Sequence, residues 1–220
     1  YLEYHRGTFT SQSRNKRNNR KSEFLLHNAE FLAAYAALAT GWEYPQDAIT
    51  QAWELTCLNQ FHDILPGSSI GEVYEDSDRD YATIHQLGTA VLDGAIAALT
   101  QTLPAQTAIL AANTTSSHGR RIGFLSGGSD QQVFDTRSNQ PLKTQSVEGG
   151  MLIEVPALEP YSIIGLSESA GGSTHADSGA LHVSQSDGMI IMENALLRVE
   201  IDSAGDITRI YDREVAREVL

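Results

Sequence analysis

The sequence predicts a multidomain protein of the α-then-β class, in which a three-helix up-down bundle is followed by part of an antiparallel β-sandwich. Apolar residues recur every three or four positions up to Pro104, which is the period of an amphipathic helix. After Pro104 come short apolar runs separated by glycine-containing turns, a pattern typical of strands. We therefore assign residues 1–21 to an entry segment, residues 22–104 to the bundle and residues 105–220 to the first part of the sandwich.

The first predicted helix begins at Ser22, whose side chain can cap it, and ends at Gly41. Residues 1–21 are polar and are expected to form a loop that leads into this helix. A wide apolar face is expected to pack inward, and its members are Phe24, Leu25, Phe31, Leu32, Tyr35 and Leu38.

The second helix is expected to begin at Pro45, which is tolerated in a first turn, and to bury Ile49, Ala52, Trp53 and Cys57. The third runs from near Ser69 to just before Pro104, roughly 30 residues or about 45 Å. Its apolar stripe consists of Ile84, Leu87, Val91, Leu92, Ala95, Ile96 and Leu99. Gly88 and Gly94 lower its helix propensity, so we expect close helix contacts at both positions. Three helices with short connections form an up-down bundle.

Seven runs in the second half are predicted strands: 109–112, 132–134, 151–155, 161–166, 182–184, 189–192 and 196–201. Glycine pairs and the dipeptides Asp187-Gly188 and Gly205-Asp206 supply the turns between them. The run 197–201 alternates apolar and polar residues, as a half-buried antiparallel strand does. The remaining strands of this sandwich are expected beyond Leu220.

Composition excludes several classes of function. The chain has 220 residues, 41% of them hydrophobic, and a formal net charge of −13, which disfavours nucleic acid as a partner. A basic cluster at 14–21 is interpreted as a solvated surface. Cys57 is the only cysteine, so no intrachain disulfide can form, and no apolar run approaches the length of a membrane span. The chain begins without Met and ends within a structured run, so we interpret it as an internal piece of a larger protein.

The segment 59–69 is the most informative motif. His62 and Asp63 are expected at the carboxyl end of the second helix, just before a helix stop at Pro66-Gly67. Free carbonyl groups at such an end favour a bound cation. A zinc site needs three or four protein ligands, so any further ligands lie far away in the sequence. The simpler alternative is that His62 is an ordinary polar residue. Ser69 and Glu72 are expected to form the capping box of the third helix.

Three segments resemble the family-38 glycoside hydrolases, the α-mannosidases, particularly their bacterial branch. The first is Tyr4-His5-Arg6-Gly7-Thr8-Phe9-Thr10-Ser11. The second is Leu58-Asn59-Gln60-Phe61-His62-Asp63-Ile64-Leu65-Pro66-Gly67-Ser68. The third is Met192-Glu193-Asn194-Ala195-Leu196-Leu197-Arg198-Val199, with Gly205 and Ile210-Tyr211-Asp212 after it. Members of the family have an α/β catalytic domain, a three-helix bundle and β-sandwich domains. The resemblance implies that the catalytic domain precedes this chain, that further β-domains follow it, and that the protein is cytoplasmic.

The resemblance also implies a chemistry. The family hydrolyses α-mannosidic bonds with retention and uses one zinc ion, to which the bundle contributes one histidine. By the motif match that ligand is His62, and Asp63 is the carboxylate that contacts mannose. His5 and Arg6 are candidates for the lining of the sugar pocket, against an ordinary structural turn. The nucleophile is expected upstream of Tyr1, as is the general acid/base, for which Glu3 is the only candidate within the chain.

Two kinds of protein stay open at this point. The first is an α-mannosidase that acts on a mannose-containing glycan or glycoside, in which this chain alone is inactive because the other zinc ligands lie elsewhere. The second is a non-catalytic helical and β module that binds carbohydrate or holds domains together. Phe61 stands where many eukaryotic members carry a second histidine, which is not the ligand in the alignment that we favour.

Overall fold

The computed structural model describes residues 11–127, 131–170 and 181–220 of the chain. Its three helices are α1 (Ser13–Thr40), α2 (Gln46–Asn59) and α3 (Gly71–Thr100). They pack on one another as a bundle, and the strands follow only after α3 has ended. The helix-then-strand order that the sequence predicts is therefore confirmed.

α1 begins earlier than expected. Its first residue is Ser13, so the predicted start at Ser22 and the predicted loop up to residue 21 are wrong for this stretch. The reason lies in tertiary contacts: Asn15 and Asn19 are buried against the other two helices, and local composition does not reveal such partners. The division of the chain into domains stays a prediction.

The buried face of α1 also differs from the prediction. Phe24 is 61% exposed and Leu38 is 88% exposed. Leu32 is buried as predicted, and the other residues of α1 that form the apolar core are Leu26, Ala29, Ala33 and Ala36. Three of these buried residues are alanines, and their small side chains let neighbouring helices approach closely.

α2 and α3 follow the predictions more closely. Ile49 and Ala52 of α2 are buried, but Cys57 is exposed, because the inward positions of the last turns are taken by Thr56 and Asn59. The members of the predicted α3 stripe are all buried or half-buried. A Cβ atom on Gly88 would come within 2.9 Å of the Leu25 side chain, which confirms the close helix contact expected there.

Twelve strands follow the bundle within the described ranges 109–127, 131–170 and 181–220. They are β1 (Ile109–Asn113), β2 (Gly119–Ser126), β3 (Gln131–Asp135), β4 (Gln140–Pro141), β5 (Thr144–Val147), β6 (Gly150–Leu158), β7 (Ser162–Ala170), β8 (His182–Ser186), β9 (Met189–Glu193), β10 (Leu197–Ile201), β11 (Ile207–Asp212) and β12 (Arg217–Glu218). All seven predicted strands occur. β2, β4, β5, β11 and β12 are strands that the sequence analysis did not assign.

The strands form three antiparallel sheets, with the orders β1-β7-β3-β4, β2-β6-β5 and β12-β11-β10-β9-β8. The first two share one core, so they form a sandwich; its buried members are Val133, Leu142, Met151, Ile153, Leu158, Ile164 and Leu166. In the third sheet the β8–β9 hairpin turns at Asp187 and Gly188, which have φ values of 52° and 79°. Such paired positive values are typical of a two-residue hairpin turn, and the predicted turn at this dipeptide is confirmed.

The sandwich contacts the bundle along the middle of α1. Leu110, Ala112 and Ile163 pack against the helical core that includes Ala29 and Ala33. In addition, the hydroxyl of Thr114 donates to Oδ1 of Asn28 at 2.7 Å, and the Phe31 and Tyr161 rings lie 5.6 Å apart. Apolar packing and polar contacts therefore join the two parts at the side of α1, away from the α2–α3 connection.

Candidate functional site

The connection between α2 and α3 carries the two central candidate residues, His62 and Asp63. Residues 60–67 form a succession of tight turns. Within them the amide of Ile64 donates to the carbonyl of Phe61 at 2.9 Å, which closes the turn around His62 and Asp63. Because its backbone groups bond to one another, this turn has a defined shape although it lies at the surface.

The side chains of His62 and Asp63 point outward beside each other. The imidazole is 79% exposed and the carboxylate 60% exposed, and Nε2 of His62 lies 3.6 Å from Oδ2 of Asp63. That distance is longer than a hydrogen bond. The Phe61 ring lies 4.2 Å from the imidazole, measured between ring centroids. An imidazole and a carboxylate thus lie side by side on an ordered turn.

Ser69 supports the turn in a way that the sequence analysis did not predict. Its hydroxyl donates to the carbonyl of Asp63 at 2.5 Å. The residue that precedes α3 is Ile70, and it makes no side-chain capping hydrogen bond. The predicted capping box of Ser69 and Glu72 is therefore wrong, because the serine hydroxyl binds the turn instead of the first amides of α3.

Two side chains from α1 and α3 hold the turn from below. The ammonium group of Lys16 donates to the carbonyl of Pro66 at 3.0 Å and also to the carbonyl of Ser11. On the other side the buried Tyr74 hydroxyl donates to the carbonyl of Ile64 at 3.2 Å. The turn is therefore bonded to both helices that flank it.

The remaining sequence-predicted site residues, Glu3, His5 and Arg6, lie outside the described residues. Ser11 nevertheless contacts the turn. Gly67 has a φ of 94°, and a Cβ atom placed on it would lie 2.8 Å from both Cβ and the carbonyl oxygen of Ser11. Only glycine combines this backbone angle with so close an approach, so the first described residue is packed directly against the turn.

The donor set is compatible with one part of a zinc site. Within residues 11–127, 131–170 and 181–220, no group of three or more His, Cys, Asp and Glu side chains is arranged to hold a metal ion. A zinc ion accepts nitrogen and carboxylate oxygen ligands, and His62 is accessible to ligands from outside the described residues. The imidazole of His62 and the carboxylate of Asp63 could therefore complete a zinc site. These two residues could not form such a site by themselves.

A buried polar layer lies beneath the turn, and sequence analysis missed it. Its members come from all three helices and include Asn15, Asn19, Ser22, Thr56, Asn59 and Ser77. The side-chain amide of Gln60 donates to Oδ1 of Asn19 and to Oε1 of Glu23, both at 3.0 Å. One signal could have revealed the layer, because residues 15, 19 and 22 extend the same three-and-four spacing that residues 26, 29, 33 and 36 follow.

Tyr81 is a buried aromatic residue at this layer. It is 5% exposed, and among the described residues its hydroxyl has no hydrogen-bond partner. Burial, together with the nearby carboxylates of Glu23 and Asp80, raises the pKa of Tyr81 well above its ordinary value. The phenol therefore stays neutral, and the polar layer includes one hydroxyl that pays a desolvation cost without a bond.

Comparison with known proteins agrees with this architecture. The family model described as "Alpha mannosidase middle domain" matches residues 3–99. Human alpha-mannosidase 2C1 is 28% identical over the whole chain, which covers 20% of that relative, and the Saccharomyces cerevisiae alpha-mannosidase is 46% identical over 77 residues, 34% of this chain and 7% of the relative. The chain thus spans about a fifth of the length of the curated relatives that it matches from end to end.

Solved structures show the same fold. An alpha-mannosidase from Enterococcus faecalis V583 superimposes with a TM-score of 0.76 at 21% identity, covering 96% of this chain and 29% of that one. A second Enterococcus faecalis structure, of a protein in glycosyl hydrolase family 38, gives a TM-score of 0.71 at 20% identity and covers 96% of this chain and 30% of that one. No helix among the described residues is long and apolar enough to cross a membrane. The middle-domain match over residues 3–99 and the alpha-mannosidase relatives, together with the shared helix-then-strand fold, support a fragment of a glycoside hydrolase family 38 alpha-mannosidase that includes the middle domain.

Proposed function

We propose that the protein containing this chain is a zinc-dependent α-mannosidase that hydrolyses terminal α-mannosidic bonds with retention, and that this chain contributes part of the active site. The observation that carries the proposal is the pair of His62 and Asp63, exposed side by side on an ordered turn within the segment that matches the α-mannosidase middle domain. The cytoplasmic location expected from the resemblance stays a prediction.

In this proposal His62 is one ligand of a zinc ion whose other ligands lie in the rest of the protein, and Asp63 accepts a hydrogen bond from a mannose hydroxyl. Bound zinc would hold sugar hydroxyls in place and assist distortion of the ring. An exposed carboxylate on a rigid backbone suits the sugar role, because charge-assisted bonds to hydroxyl groups are short and directional. His5 and Arg6 are proposed to line the same pocket, since Ser11, a few residues later in the chain, packs against the turn at Gly67.

The proposed acid and base chemistry lies mainly outside the described residues. Retaining glycosidases use two carboxyl groups about 5 Å apart, one as nucleophile and one as general acid/base. We place the nucleophile in the catalytic domain, and Glu3 is the only candidate within this chain for the second carboxyl group. The stereochemical course is testable by NMR, because retention releases the α-anomer of mannose as the first product.

The test of the site compares two pairs of variants in the intact protein. His62→Ala is expected to lower zinc affinity at least about tenfold and to lower α-mannosidase activity with it. Asp63→Asn is expected to keep zinc and to lower kcat/KM roughly 10- to 100-fold, because a charged hydrogen bond becomes a neutral one. Zinc content is measured by metal analysis and activity with p-nitrophenyl-α-mannoside.

The chain supplies a matched control pair. His118 and Glu159 also form an exposed histidine–carboxylate pair, with Nε2 and Oε1 separated by 3.4 Å. His118→Ala and Glu159→Gln are expected to leave zinc content and activity unchanged. Full zinc and activity in His62→Ala would reject the assigned role of His62. A wild-type protein that neither binds zinc nor hydrolyses α-mannosides would favour the non-catalytic carbohydrate-binding or structural module.

A further inference from the structure

We infer that Gln60 is the positioning residue of the His62–Asp63 turn, and that it acts through a three-residue hydrogen-bond network with Asn19 and Glu23 of α1. This inference rests on the proposed function for its consequence in zinc binding, but the network itself is a feature of the described residues. In this inference the buried polar layer holds the turn in position, which is a role beyond stabilising the bundle.

The three side chains all bond to one another, and each hydrogen bond has a defined donor and acceptor. Nε2 of Gln60 donates to Oδ1 of Asn19 and to Oε1 of Glu23, both at 3.0 Å. Nδ2 of Asn19 also donates to Oε1 of Glu23 at 3.0 Å. The second oxygen of the Glu23 carboxylate accepts from Arg20 at 2.6 Å. Each donor therefore faces an acceptor, and the amide nitrogen of Gln60 ties the residue that follows α2 to α1.

Gln60 lies at the start of the turn, where a bond from its side chain can best fix the residues that follow. It directly follows the last residue of α2, and its backbone amide lies within hydrogen-bond distance of the carbonyl of Thr56 at 3.1 Å. His62 comes only two residues later. The far end of the turn is held separately, by Lys16 on the carbonyl of Pro66. With both ends attached to α1, the exposed imidazole and carboxylate can keep one position relative to the bundle.

Partners that orient a metal ligand commonly change metal affinity or activity about 10- to 100-fold when they are removed. A glutamine in this network orients a histidine through the backbone rather than by touching its ring. The expected signature is a loss of zinc affinity in a protein that is still folded, together with loosening of the 61–67 backbone. A residue that only stabilises the bundle would lower the melting temperature and leave the zinc affinity of the folded protein unchanged.

The sharpest perturbation is an isosteric one. Gln60→Glu replaces the donating amide by a carboxylate that would face the Glu23 carboxylate about 3 Å away, where like charges repel. The double variant Gln60→Glu/Glu23→Gln reverses the polarity of the pair, and rotation of the Asn19 amide lets every donor face an acceptor again. Glu23→Gln alone keeps the bond from Gln60 and is the matched control.

The experiment measures zinc affinity by chelator competition, hydrogen exchange of the 61–67 amides and thermal unfolding in the intact protein. We expect Gln60→Glu to weaken zinc binding about 10- to 100-fold and to speed up exchange, and we expect the double variant to restore both. Leu99→Ala, at the opposite end of α3 and buried, is the stability control: it lowers the melting temperature without changing zinc affinity.

Wild-type zinc affinity and exchange in Gln60→Glu would overturn the inference, as would losses that the double variant does not restore. A lower melting temperature with unchanged zinc affinity, as in Leu99→Ala, would also overturn it. If the wild-type protein binds no zinc, the proposed function fails, but exchange still tests the positioning role: faster exchange in Gln60→Glu that the double variant reverses supports it, and unchanged exchange refutes it.

Discussion

Removing the buried hydroxyl of Tyr81 should stabilise the protein, which is the opposite of what most substitutions at a buried position do. Tyr81 is 5% exposed, and its hydroxyl has no partner among the residues that the structure describes. The ring packs with Leu26, Ala52 and Ile84. Tyr81→Phe keeps those apolar contacts and deletes only the unsatisfied polar atom.

The magnitude follows from the cost of an unpaired buried polar group. Mutational data place that cost at roughly 1–3 kcal/mol, and the contacts that the deleted oxygen atom makes offset part of it. We therefore expect the free energy of unfolding of Tyr81→Phe to be about 1 kcal/mol higher than that of the wild type near pH 7. For a domain of this size the corresponding rise in melting temperature is about 2–4 °C.

The difference should widen at high pH. Burial, Glu23 and Asp80 raise the pKa of Tyr81 in the folded protein above its ordinary value of 10.0. Above pH 10 the unfolded chain therefore releases the phenolic proton while the folded protein retains it. The unfolded state then binds fewer protons, so the free energy of unfolding falls as pH rises, by up to about 1.4 kcal/mol per pH unit. Tyr81→Phe lacks this group and should lose less stability.

Tyr74 provides the matched control. It lies on the same helix and is 7% exposed, but its hydroxyl donates to the carbonyl of Ile64 at 3.2 Å and accepts from the amide of Ser69 at 3.1 Å. Tyr74→Phe should therefore destabilise the protein by about 1–2 kcal/mol. Urea unfolding of both variants between pH 7 and pH 11 makes the comparison. If Tyr81→Phe destabilises the protein by as much as Tyr74→Phe, the Tyr81 hydroxyl has a partner and our reasoning is refuted.

Two further substitutions test the turn and the sandwich. Gly67→Ala should destabilise the protein by roughly 1–3 kcal/mol, because φ is 94° and the added methyl group would meet Ser11 at 2.8 Å; melting curves measure this, and an unchanged midpoint would contradict the contact. Asp135→Asn should flatten the loss of stability in acid. The hydrogen bonds from Arg137 hold the pKa of Asp135 below its ordinary value of 3.8. The wild type therefore loses the stabilisation from these bonds as pH falls below that value. Equal slopes of unfolding free energy against pH, from pH 5 to pH 2 in both proteins, would argue against this prediction.

Periodicity was sufficient to predict the order of the architecture and the position of the candidate site. The stripe of α3 was predictable because its inward residues are large and apolar, and a 3.6-residue period in such residues is typical of a helix that packs on one face. His62 and Asp63 were located at a helix end because Pro66 disfavours continuation of a helix through the residues just before it. These are local effects, and local effects can be read from a short stretch of sequence.

The tertiary structure decided which residues of α1 are buried and where that helix begins. Phe24 is exposed whereas Ala33 is buried in the core that α1 shares with α2 and α3, and Gly88 lets α3 approach Leu25 and Leu26 of α1 closely. No local pattern could show that Asn19 would pair with Gln60, since the two residues lie on different helices and meet only once the bundle has formed.

What the sequence by itself determined is therefore the identity of the chemical groups and their place on a turn: an imidazole and a carboxylate adjacent in the chain, between two helices. What only the tertiary structure decided is how that turn is held. Lys16 and Tyr74 bond to its carbonyl groups from α1 and α3, and Gln60 ties its start to α1. The chemical group of a side chain follows directly from the residue type. The orientation of the side chain depends on hydrogen bonds between residues that are distant in the chain.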